Sequence, residues 1–331
     1  MTRSSVLHTL AAAAALALTG AVQAQAPASY TMYGLIDLSL GSTKAPGAAS
    51  AVKGVDSGQM TTSFLGFRGQ EDLGGGMSAQ FRLEHFVRND TGAAGRFNGD
   101  NFWARNSTVG LSQNGVGTVT FGRNTTPLFV QTLLNNAFGD SFGYSPAIRH
   151  YFTSGTVTGD TGWNDSVQYL SPRFGGFGFG AIAALGEGSN GRSFGLNASY
   201  GAGPASVAFA WQDVKKDSGG PTNDTKTWQL AGSYDLGVAK LFGQFGNVDN
   251  STTNRDFKIT GLGVRAPVGQ NAVLFQYGRI SPSTGASRTT ISAGYQYFLS
   301  KRTDLYAVWM RDKVSGLSAG GGYSAGIRHN F

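Results

Sequence analysis

From residue 29 onward, apolar and polar residues alternate in segments of about ten residues. Phe177, Phe179, Ala181, Ala183 and Leu185 share one parity, and Phe194, Leu196, Ala198 and Tyr200 repeat the pattern. Their neighbours Gly178, Gly180, Ser193, Asn197 and Ser199 are small or polar. Successive side chains of a strand point to opposite faces, so each segment predicts a strand with one apolar and one polar face. Val207, Phe209 and Trp211 continue the apolar set, as do Ile291, Ala293, Tyr295 and Tyr297. The separators alternate in length. Short ones fall at 71–76, 114–116, 172–175, 236–237, 267–271 and 300–303, and long ones at 41–57, 89–99, 125–161, 216–225 and 315–320. About sixteen strands result, an even number as in single-chain bacterial barrels. The predicted fold is all-β, a transmembrane antiparallel β-barrel of 16 strands with its apolar face to lipid and its polar face to a water-filled interior.

Aromatic residues and the last segment fit that cylinder. Trp163, Tyr169, Trp228, Tyr234 and Trp309 lie near segment ends, where interfacial girdles belong. Tyr323, Ala325, Ile327, His329 and Phe331 share one face of the final segment, and Ser324, Gly326, Arg328 and Asn330 share the other. Pairing this segment with the first strand, 30–40, would leave the sheet no edge.

Composition adds a compartment. Arg3, an alanine-rich apolar run over 10–18 and Val22-Gln23-Ala24 read as a cleaved signal peptide at 1–24, leaving a single barrel domain at 25–331. The leader carries one arginine and no acid, so the formal charge falls by one, from +7 to +6. No later apolar run reaches the roughly 20 residues that a helical span needs. Cysteine is absent, which excludes disulfides, thiolate metal sites and a cysteine nucleophile. The basic residues are scattered without an interleaved aromatic patch, so nucleic acid is not an expected partner.

Several stretches in order resemble one family. They are Tyr33-Gly34-Leu35-Ile36-Asp37, Leu65-Gly66-Phe67-Arg68-Gly69 leading into Glu71-Asp72-Leu73-Gly74, Gly117-Thr118-Val119-Thr120-Phe121-Gly122-Arg123-Asn124, Tyr169-Leu170-Ser171-Pro172, and Gly326-Ile327-Arg328-His329-Asn330-Phe331. The chain is similar to the general diffusion porins of Gram-negative outer membranes, especially their beta-proteobacterial branch. That resemblance implies a homotrimer of 16-stranded barrels, without cofactor or metal, through which small hydrophilic solutes and ions diffuse passively. It also implies a third external loop, here 125–161, that folds inward and narrows each pore. Residues 128–134 within it are expected to form a helical turn.

The resemblance further implies a constriction. Arg68 and Arg105 match basic positions of its wall, Glu84 an inward acid beside them, and Asp37 a lumen-facing place in the first strand. Phe64 and Gly162 stand where many relatives carry arginine, whereas Arg82 replaces a usual glutamine. Asp140, Arg149 and His150 are the expected loop charges. A basic wall facing so little acid suggests anion preference, since fixed charge in a narrow passage selects the passing ion. Arg123 matches a trimer contact reached by a neighbour's second loop, with Asp90 available; an ordinary ion pair within one chain is the alternative. Tyr323, Ile327 and Phe331 match the family's C-terminal assembly signal. The remaining arginines suit outer-membrane lipid and lipopolysaccharide phosphates at the rim.

Other classes fit less well. Of the four histidines, His8 lies in the leader and His329 in the last segment, and neither His85 nor His150 is positioned as a base beside a serine, so an enzyme is not expected. A soluble secreted β-rich glycan-binding protein would leave the terminal Phe331 and the girdle aromatics without a role. A substrate-specific channel for an anionic solute or sugar stays open.

Overall fold

The computed structural model describes residues 28–157, 161–186, 191–215 and 224–331. Its first strands are β1 (Ser29–Lys44), β2 (Val52–Ser57), β3 (Phe64–Gly74), β4 (Met77–Arg88), β5 (Ala93–Ala94), β6 (Asn106–Gln113) and β7 (Gly117–Thr125). Two helices follow, α1 (Pro127–Leu134) and α2 (Pro146–Phe152). The chain continues through β8 (Gly162–Leu170), β9 (Phe177–Ala184), β10 (Ser193–Ala202), β11 (Ala205–Val214), β12 (Thr225–Asp235) and β13 (Lys240–Asn250). It ends with β14 (Arg255–Val268), β15 (Asn271–Pro282), β16 (Arg288–Phe298), β17 (Thr303–Val314) and β18 (Gly320–Asn330).

Sixteen of these strands form one closed antiparallel ring, while β2 and β5 are short hairpin partners of β1 and β4. Closure runs through β1 and β18, where Asp37 lies opposite Arg328. The backbones of Gly34 and Phe331 exchange hydrogen bonds of 3.2 and 3.1 Å, and the Phe331 ring sits where a Cβ on Gly34 would be. Tyr323, Ile327 and Phe331 are exposed on the apolar outer side of this seam.

The predicted alternation is visible strand by strand. Phe177, Phe179, Phe194, Leu196, Val207, Phe209, Phe275 and Trp309 are exposed. The opposite parity carries buried polar groups, among them Asp37, Glu84, Gln229, Gln244, Gln276, Thr290 and Asp312. An apolar surface turned outward and polar groups turned inward suit a cylinder surrounded by hydrocarbon.

Buried apolar clusters lie where the 126–157 segment meets the strands. One gathers Met60, Ala137, Phe138 and Tyr144 with Phe242, Leu274, Tyr306 and Val308. Another gathers Leu128 and Tyr151 with Ala210, Val248, Ile259 and Ile280. Both helices have the same start. Thr126 caps α1 by accepting from the Phe129 N–H, Ser145 caps α2 by accepting from the Ile148 N–H, and a proline opens each first turn. The first helix coincides with the expected turn at 128–134. The second was not foreseen, although Ser145-Pro146 is a capping signature.

Several expectations change. Trp163 does not belong to an interfacial girdle: it is 5% exposed and packs with Ile182, Ala184 and Val214. A bulge between Gly122 and Asn124, with Asp165 at φ 51°, re-aims this part of β8. The first long separator is largely strand, because β1 runs to Lys44 and β2 folds back on it. His85 has outward parity, but the Phe102 ring stacks on it at 4.0 Å and keeps it buried. The leader at 1–24 and most of the separator at 216–225 lie outside the described residues.

Candidate functional site

Three neighbouring strands bring the predicted charges together. In the β3/β4 register Arg68 faces Arg82 and Gly66 faces Glu84, while in β1/β3 Thr31 faces Arg68 and Tyr33 faces Gly66. Arg68, Arg82, Glu84 and Tyr33 therefore share one side of the sheet. Gly66 leaves room there, since a Cβ would lie 2.8 Å from the Tyr33 ring. Through that gap the Tyr33 hydroxyl donates to Glu84 Oε1 at 2.5 Å.

Arg105 reaches the same side by a different route. Asn106 has inward parity, so continuation of β6 would turn Arg105 outward, but a bend before the strand swings its guanidinium onto Glu84 Oε2. The guanidinium lies 4.0 Å from the Phe64 ring centroid. Phe64 is thus a platform for Arg105. Arg68 lies 4.9 Å from the Tyr33 centroid. Arg68 and Arg82 are exposed and make no ion pair with a carboxylate among the described residues.

On the adjoining arc, from β1 through β18 to β16, the charges are paired. Asp37 accepts from Met60 N and Thr61 N, both at 2.7 Å, and from the Tyr306 hydroxyl at 2.6 Å. Arg328 binds Asp304 at 3.0 Å and donates to Thr61 Oγ1 at 3.0 Å. Thr61 in turn donates to Asp140 Oδ1 at 3.1 Å. Asp312 receives Arg288, Arg149 at 3.2 Å and Thr290 at 3.0 Å. Thr290 also meets His150 Nε2 at 2.8 Å. Asp304, Asp312, Arg288 and Arg328 were not singled out from the sequence. The signal was present in the strict alternation of β17 and β18, which puts each of these acids and Arg328 on the polar face.

Burial sets the protonation of the long segment. It lowers His150 to about 3, helped by the nearby Arg288 and Arg149 and opposed by Asp312. It also lowers Arg149, reinforced by Arg288 and opposed by Asp312. Asp140 is raised by burial, against the pull of Arg105, Thr61 and Arg328. Asp140 joins Arg82, Glu84 and Arg105 around one cavity of about 320 Å³, with Phe129 and Phe142 closing its other side.

Arg123 is held within its own chain. It donates to the carbonyls of Ala104 and Gly162, the latter at 3.1 Å, and to Asn164 Oδ1 at 2.8 Å. Asp90 is exposed in the turn after β4. The second loop folds on itself through Arg96 and Asp100, 2.9 Å apart. Burial pushes the Asp100 carboxyl up, but the hydrogen bonds and charge of Arg96 more than offset it and hold it below the usual range.

A closed strand cylinder with an apolar outside and a charged hollow defines an outer-membrane β-barrel channel. The comparisons then make the family plain: the sequence pattern of the Gram-negative porins matches residues 10–317, and the chain belongs to that family. It is 34% identical to Outer membrane porin protein 32 of Delftia acidovorans, over 96% of this chain and 94% of that protein. It is 29% identical to an outer membrane porin protein of Bordetella pertussis, over 98% and 99% of the two chains. Among solved structures, an anion-selective porin from Comamonas acidovorans superposes with a TM-score of 0.80 at 29% identity, covering 92% of this chain and all of that one. Members of this family are channels and not enzymes, and they reside in the outer membrane.

Proposed function

We propose that this porin is a general diffusion channel with a preference for anions. The observation that carries the reading is the imbalance in the hollow. Asp37, Glu84, Asp304 and Asp312 are each bound by arginine, backbone N–H or hydroxyl donors, whereas Arg68 and Arg82 keep their full charge toward water. Low-dielectric walls focus such a field along the passage. The Comamonas relative, described as anion-selective, supports the same sign.

In this reading the 126–157 segment folds into the hollow and sets its narrowest point, with Asp140 facing Arg82 and Arg105. Support comes from its hydrogen bonds to inward-parity side chains, such as Thr132 to Gln229 and His150 to Thr290. Residues 1–24 serve as the cleaved export signal. Three copies assemble with packed apolar outer faces, and Asp90 of a neighbour approaches Arg123. Tyr323, Ile327 and Phe331 act as the assembly signal. Rim arginines contact lipopolysaccharide phosphates.

The test is the reversal potential in a potassium chloride gradient across a planar bilayer. The unaltered protein should favour chloride. Replacing Arg82 and Arg105 together by alanine should lower that preference severalfold in protein whose heat-modifiable gel mobility shows a folded barrel. A clear cation preference of the unaltered channel would refute the reading.

A further inference from the structure

The Arg68–Arg82 pair is more than a source of positive field. Like charges directly opposite on antiparallel strands repel, and these two occupy one register position on β3 and β4. The next inward pair toward the short turn is neutral, Gln70 facing Gln80. Glu84, the nearest acid along β4, is already engaged by Arg105 and Tyr33. The two guanidiniums open on a cavity of about 430 Å³ whose lining contains no aspartate or glutamate. Thr31 and Gln80 line it beside them with a hydroxyl and an amide donor, while Thr108 and Thr120, also in the lining, donate to Asn106 Oδ1 and Asn124 Oδ1.

We propose that this cavity is a discrete binding subsite for a doubly charged oxoanion of sulfate or phosphate size. It lies on the short-turn side of Arg105 and Glu84, and it rests on the anion-channel reading above. Each guanidinium presents a planar fork of N–H donors that matches two oxygens of one oxoanion. Two forks at one register position offer more directed donors than a single chloride can accept. A double charge also relieves the repulsion between both arginines at once, and Thr31 and Gln80 supply further donors. Stacking on Tyr33 restricts Arg68 to one side of the cavity. Because the cavity belongs to a water-filled hollow, the ion exchanges freely, and its residence interrupts the flow of smaller anions.

The experiment is a titration of sulfate into potassium chloride at constant ionic strength, with single-channel current and reversal potential recorded together. Chloride current through the unaltered channel should fall along a saturating curve. Arg68→Gln and Arg82→Gln should each raise the half-blocking concentration about tenfold, the equivalent of about 1.4 kcal/mol for one charge-assisted contact. The double variant should lose saturation while retaining heat-modifiable mobility. An unchanged half-blocking concentration in the folded double variant overturns the subsite, as does equal block by singly charged acetate. Anion preference without saturable sulfate block removes the subsite and leaves the channel reading standing. Cation preference in chloride alone removes the channel reading itself.

Discussion

The wall built by β3, β4 and β6 and the wall built by β16, β17 and β18 both carry arginines toward the interior, yet use them differently. On the second wall each meets a carboxylate: Arg328 meets Asp304 across the register, and Arg288 meets Asp312 within hydrogen-bonding distance. On the first, the residue opposite Arg68 is another arginine. Side-chain type therefore says little about role; the neighbour one strand away decides. A paired guanidinium holds the 126–157 segment in place. An unpaired one is, in the function proposed above, left for the solute.

The strongest way to break the comparison is to remove a carboxylate from the paired wall. Asp312→Ala strands Arg149 and Arg288, whose side chains are each only 19% exposed. Losing one partner of so buried a pair costs about 3–5 kcal/mol. Limited proteolysis should then cut within α2 and its flanks, and the heat-modifiable transition should fall in temperature. Unchanged resistance on both counts would show that the pairing does not hold the segment.

Acid should have a smaller net effect in the same place, because His150 and Asp140 pull in opposite directions. His150 is lowered to about 3 when docked, against an ordinary value of 6.5. The undocked segment therefore binds the extra proton. Docking is fully supported above pH 6.5 and loses about 1.4 kcal/mol per unit as pH falls from there toward 3. Asp140 acts oppositely: raised by burial, it favours docking below the ordinary carboxylate range and loses that contribution as pH rises through its docked value. Protease sensitivity of the segment should rise between pH 6.5 and 4, and His150→Gln should flatten that rise. A rise as steep in the variant would transfer the effect to another group.

The smallest effect sharpens the basic wall. Tyr33→Phe removes one donor to Glu84 but leaves Arg105 on the same carboxylate. A loss of about 1 kcal/mol is expected in thermal stability, with little change in ion preference. A large change in preference would mean that the Tyr33 hydroxyl, and not Arg105 alone, holds Glu84 in place.

Much of this architecture was legible because hydrocarbon and water impose opposite demands on successive residues. In β9 and β10 that contrast is undiluted, and parity alone gave both faces. Trp163 misled because a girdle and a buried cluster both want an indole, and only the bulge beside Asn124 tells them apart. Arg105 required knowledge of a bend that parity cannot supply. Residue identity did not reveal that Arg149 would be spent on Asp312, since that contact spans 163 positions of sequence. Phe64 looked like a missing charge, yet its ring supports a charge supplied from the bend before β6.

The two helices of the long segment touch different arcs of the ring. The first packs against β9, β10, β11 and β12, the second against β14, β15 and β16, and Arg149 extends the contact to β17. Such a segment ties those arcs together, and in the inward-folded arrangement proposed above it both braces the hollow and narrows it. Trimming it to widen the passage would also soften the cylinder, so calibre and rigidity in this molecule cannot be tuned independently.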